Sequence, residues 1–134
     1  MSLLSPEVRI AITPARVALA SRGIFREAAV ADGDDVMDVL AGLLRDTPLK
    51  GRVRAILSHE LAHVTLVQAP HVALSNSEMA GWVRQRLDER MGDSVHGRRI
   101  AWEPARPGQA ILVASVDENW LLRMQQCMKD AGLR

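Results

Sequence analysis

His59-Glu60-Leu61-Ala62-His63 is the stretch of this chain whose residue types and spacing match a catalytic pattern, H-E-x-x-H. On a helix, residues four apart share a face. His59 and His63 could then hold one zinc ion, with Glu60 as general base toward a zinc-bound water. A catalytic zinc needs a third protein ligand. The extended form of the motif would put glycine at position 66 and histidine at position 69, but Leu66 and Ala69 stand there. His71 comes too late for that pattern, just after Pro70. Glu78 and Glu89 are the carboxylates further along that could complete the set. A small zinc-dependent metallopeptidase centred on residues 59–63 is therefore the alternative reading of function.

That chemistry requires residues 52–68 to be helical. Val53, Ile56, Leu57, Leu61 and Val64 would make a helical stripe. The segment is nonetheless rich in β-branched residues: Val53, Ile56, Val64, Thr65 and Val67. It divides into two short runs, Arg52 to Ser58 and His63 to Gln68, around the polar Ser58-His59-Glu60. We read it as two strands joined in a hairpin, with His59 and Glu60 at the turn. The histidines then share no helix face, and no catalytic, cofactor-binding or metal-binding residue is assigned. His96, before Gly97, reads as a loop residue.

The remaining elements follow from local signals. Val8 to Thr13, Val17 to Ala20 and Phe25 to Ala31 read as three short strands, broken at Pro14-Ala15 and Arg22-Gly23, an antiparallel meander. Asp32-Gly33-Asp34-Asp35 precedes the stripe Val36, Val39, Leu40, Leu43 and Leu44, a helix with an aspartate N-cap. Ser75-Asn76-Ser77-Glu78 is a capping box opening a helix with Met79, Val83, Leu87 and Met91 on one face, stopped at Gly92. Arg98 to Glu103 and Ala110 to Val116 flank a Pro/Gly turn and read as a hairpin. Asp117 caps a last helix, ended by Gly132, whose Trp120, Met124 and Met128 are expected on one buried face.

Composition bounds the function classes. The chain has 134 residues, which predicts a single domain over 1–134 large enough for a core without disulfides. Seventeen Lys and Arg against sixteen Asp and Glu give a net charge of +1, too balanced for a general clamp on nucleic acid or an acidic membrane. Four aromatic residues (Phe25, Trp82, Trp102, Trp120) argue against base-stacking platforms. The single Cys127 excludes an intrachain disulfide and fits a reducing compartment. No apolar run approaches the roughly 20 residues that span a bilayer. Residues 1–14 carry no signal-peptide pattern, so a cytoplasmic location is expected.

The order of elements resembles half of an actin-like ATPase, the ribonuclease H-like core: an α/β (α+β) fold with a mixed sheet and about three helices. The phrasing of Val53-Arg54-Ala55-Ile56-Leu57-Ser58, Leu61 to Val67, Ser77 to Leu87, Met91-Gly92 and Val113 to Asp117 is similar to the cytoplasmic actin-like domain of type II secretion L proteins and type IV pilus M proteins. Such domains continue from this last helix into another strand and a second half. The resemblance therefore implies one actin-like subdomain or a piece of a longer chain. It also places an Asp-x-Gly phosphate turn between the first two strands, where this chain has Ala11 and Thr13. Ala11 carries no charge, and Thr13 before Pro14 restricts the backbone approach that glycine permits. No nucleotide or other cofactor is expected. A ribonuclease H-like nuclease would need carboxylates along the first strand, and Val8 to Thr13 has none. The resemblance implies a non-catalytic scaffold at the inner membrane. Its partners would be an assembly ATPase, a platform subunit or a second copy in a homodimer, without nucleic acid and with only indirect membrane contact.

Overall fold

The computed structural model describes residues 7–92, 96–104 and 106–133, which form two compact units. The first comprises residues up to Leu61 together with those from Trp120 onward; the second spans Ala62–Asn119.

In the first unit, β1 (Glu7–Ile12), β2 (Arg16–Ser21), β3 (Ile24–Ala29) and β4 (Arg52–Leu57) form one sheet in the order β3-β2-β1-β4. The first three strands are the expected antiparallel meander. β4 pairs parallel to β1, from Glu7 opposite Arg52 to Ile12 opposite Leu57. Alternation decides the faces: Val8, Ile10 and Ile12 are buried while Glu7, Arg9 and Ala11 face out. α1 (Val36–Asp46) and α3 (Glu118–Asp130) cover the buried face with Met37, Leu40 and Leu44, and with Met124 and Met128. Each fully buried aliphatic here contributes about 1.5–3 kcal/mol.

The helix ends follow from the sequence. Asp35 caps α1, its side chain accepting from the Met37 N–H at 2.9 Å. α3 ends in a Schellman motif: the Leu133 N–H donates to Met128 O, the Gly132 N–H donates to Lys129 O, and Gly132 adopts φ +81. That left-handed step turns Leu133 back onto the core.

The second unit is an antiparallel sheet in the order β5-β7-β6, with α2 (Asn76–Met91) on one face. β5 is Ala62–Gln68, β6 Arg98–Trp102 and β7 Ala110–Asp117. Val67, Ile111 and Val113 pack with Val83 and Leu87 of α2. Ser75 and Glu78 form the reciprocal capping box. β5 is an edge strand, and α2 blunts that edge. Arg90 donates to the Leu66 carbonyl and Trp82 Nε1 to the Gln68 carbonyl, which occupies groups that would otherwise template another strand.

Three expectations need correction. Residues 52–57 and 62–68 are strands, but they form no hairpin: β4 pairs with β1, and β5 with β7. Thr13 belongs to the β1–β2 turn rather than to β1, and β3 stops at Ala29. Trp120 is half-buried, not buried, although it packs on the same cluster as Met124 and Met128.

Candidate functional site

The H-E-x-x-H residues lie on a turn and a strand. His59 and Glu60 sit in the turn after β4, His63 lies on β5, and all three are exposed. Without a helix, the i, i+4 spacing no longer stacks the two imidazoles. The carboxylates considered as third ligands are engaged on α2. Glu78 accepts the Ser75 N–H at 3.0 Å, and that bond holds its carboxyl below the ordinary glutamate range. Glu89 pairs with Arg86 at 3.0 Å. Among the described residues, no three His, Cys, Asp or Glu side chains come together as a metal site. His71 and His96 are exposed loop residues.

The β1–β2 turn is where the resemblance would bring phosphate. Its donors are already used. The Thr13 N–H donates to Arg16 O at 2.9 Å, and the Ala15 and Arg16 N–H groups donate to Thr13 Oγ1 at 3.2 and 3.0 Å. Pro14 has no N–H. The turn is thus closed on its own hydroxyl and offers an anion no free backbone donor. Ala11 stands opposite Ala18 on one side and Ile56 on the other, an uncharged row. The nearest sheet carboxylates are in ion pairs: Glu7 with Arg9 and Arg54, and Glu27 with Arg16. Just beyond β4, the Ser58 N–H donates to Ile12 O, while the Ser58 hydroxyl is buried with no partner among the described residues. Cys127 is no activated nucleophile, since burial, with Asp130 adding to it, pushes its thiol pKa up.

What the described residues do offer is surface. The β5–β7 face away from α2 exposes Val64 (51%), Leu66 (57%) and Leu112 (41%). In the first unit, β4 is an edge of its sheet. Beside it lies a groove of about 430 Å³ lined by Val53, Ala55, Met124, Met128 and Leu133, with Gln125 and Lys129 on the rim. Sequence reasoning missed both the closed turn and this groove. A threonine before proline at a strand end is a legible signal for the turn. The groove has no local signal, because its walls come from residues 53–55 and 124–133.

No family model matches the chain, and no curated protein sequence matches it. Solved structures do. The chain is similar to the cytoplasmic domain of EpsL, an inner-membrane component of the type II secretion system of Vibrio cholerae. The TM-score is 0.65 at 13% identity, covering 97% of this chain and 56% of that one. It is also similar to a Bacteroides thetaiotaomicron protein of unknown function with an actin-like ATPase fold, at TM-score 0.60 and 9% identity over 97% of this chain and 51% of that one. The chain thus spans about half the length of these structures. At such identities the likeness speaks for the fold alone, and that fold is actin-like, the mixed α/β arrangement expected from the sequence.

Proposed function

We propose that this chain is a non-catalytic protein-interaction module of a bacterial type II secretion or type IV pilus assembly platform. The observation that carries the reading is the β1–β2 turn, whose N–H groups are spent on Arg16 O and Thr13 Oγ1. An actin-like fold closed at that turn keeps its shape and its surfaces but not its grip on phosphate. Its likeness to a secretion component's cytoplasmic domain over 97% of the chain supports the choice of system. In this reading the chain works in the cytoplasm, held at the inner membrane by its partners. Those partners are the cytosolic assembly ATPase or another platform subunit.

Affinity purification of the tagged chain from its native host, after mild cross-linking, tests the proposal. An assembly ATPase or platform subunit should be the dominant partner. Recovery of only unrelated proteins would overturn the assignment. Isothermal titration with magnesium-ATP should give no binding heat, and micromolar affinity would defeat the non-nucleotide part of the reading.

A further inference from the structure

β6 is the outer strand of the second unit's sheet, and no described strand lies beyond it. That unit begins and ends within the chain, at Ala62 and Asn119. The Glu103 N–H donates to Leu112 O, so odd-numbered residues along β6 direct their backbone groups toward β7. Arg98, Ile100 and Trp102 therefore turn their N–H and C=O groups outward. At the opposite edge of the sheet, Arg90 and Trp82 of α2 cover β5 carbonyls. Among the described residues, no donor or acceptor covers the outward groups of β6 in that way. The side chains of Ile100 and Trp102 are half-buried and pack on the α2 cluster. Arg99 and Ala101 are exposed on the other face, as is Glu103 just past the strand.

The strand is complementary to itself. In a two-fold antiparallel pair, outward backbone groups meet outward ones only when the axis falls on a residue. Centred on Ala101, the pairing sets Ile100 opposite the partner's Trp102, a hydrogen-bonded position with both side chains on the α2 face. The two Ala101 residues meet at the closer, non-hydrogen-bonded position, where a small side chain fits. Arg99 falls opposite the partner's Glu103 on the exposed face. Arg99 holds Glu118 through Nε and Nη2 at 3.3 and 2.8 Å, which leaves Nη1 for a second carboxylate. Glu103 has no cationic partner among the described residues. Within one chain it stands about 13 Å along the strand from Arg99, too far to pair with it. The neighbouring registers lose this match. Centred on Ile100, Glu103 faces Gly97; centred on Trp102, Ile100 faces Pro104, which has no N–H. We infer that β6 is the interface of a two-fold dimer of this chain, which joins two copies of the β5-β7-β6 sheet edge to edge. Opposite charges in the Ala101 register select a second copy over other strands. The edge is short, so the dimer is transient, with Kd on the order of 0.1 mM.

This inference goes beyond the platform reading and does not depend on it, since its test uses the purified chain alone. Sedimentation velocity from about 0.01 to about 1 mM should show a monomer passing to a dimer. Over the same range, amide exchange should slow at Ile100 and Trp102 but not at Ala101, whose N–H already faces β7. Ala101→Arg sets two like charges at the axis and should leave the chain monomeric throughout. Glu103→Arg and Arg99→Glu each create two like-charge pairs by symmetry, and each alone should weaken the dimer about tenfold or more. Mixed in equal amounts, those two variant chains restore opposite charges at both positions and should dimerise as the parent does. A parent chain that stays monomeric would overturn the inference. So would a trimer or open polymer, exchange that does not slow at Ile100 and Trp102, or a dimer indifferent to Ala101→Arg. A mixture no tighter than its separate components would overturn the Arg99–Glu103 register and with it the assignment of β6.

Discussion

Thr13 shows how one side chain sets the chemistry open to a turn. A glycine there would leave the following N–H groups pointing outward; the threonine hydroxyl accepts two of them. Asp35 works similarly at a helix start and adds an ion pair with Arg123 on α3. The Arg123 guanidinium, helped by the Met37 N–H, holds the Asp35 carboxyl below the ordinary aspartate range. A carboxyl depressed in the folded state stabilises fully above its unfolded value, near 3.9, and ceases to do so as pH falls through the folded value. Asp35→Asn keeps the cap and loses the charge. The variant should be less stable than the parent at neutral pH, and the difference should vanish as pH drops from about 5 to about 2. Unfolding curves that stay equally separated across that range would show that the pair contributes nothing through its charge.

At the scale of elements, burial ranks the helices' contributions. Leu40 on α1 is fully buried, whereas Trp120 at the start of α3 is half-buried. Leu40→Ala should therefore cost about 2–5 kcal/mol and Trp120→Ala about 1.5–3 kcal/mol in urea unfolding. A reversed order would mean that α3 and not α1 anchors the sheet. The zinc reading also turns on element type, since a turn and a strand do not stack His59 on His63 as a helix does. Metal analysis of the purified chain should find no stoichiometric zinc. One zinc per chain, lost in both His59→Ala and His63→Ala, would restore the metallopeptidase reading.

At the scale of the molecule, the second unit is an insertion between β4 and α3. Leu61 and Trp120, the residues at its two junctions, both pack against the first unit's core. A Gly/Ser linker of about 6–8 residues in place of 62–119 should close that gap and leave a unit that unfolds in one cooperative step. A broad, non-cooperative melt would show that the first unit depends on the insertion. The sequence alone determined what local physics decides. Asp35, the Ser75–Glu78 box and Gly132 mark helix ends because orphan N–H and C=O groups are satisfied within a turn of the chain. The β-branched residues of 52–58 and 63–68, and the polar Ser58-His59-Glu60 between the two runs, marked them as strands rather than one zinc-binding helix, and the observed strands are Arg52–Leu57 and Ala62–Gln68. Which strands pair was left to the tertiary structure. Alternation names a strand's two faces but not its neighbour, so nearness in sequence wrongly joined β4 to β5. The same holds for the groove beside β4: its walls meet only when a helix more than sixty residues away lies against the strand, and no local pattern encodes that meeting.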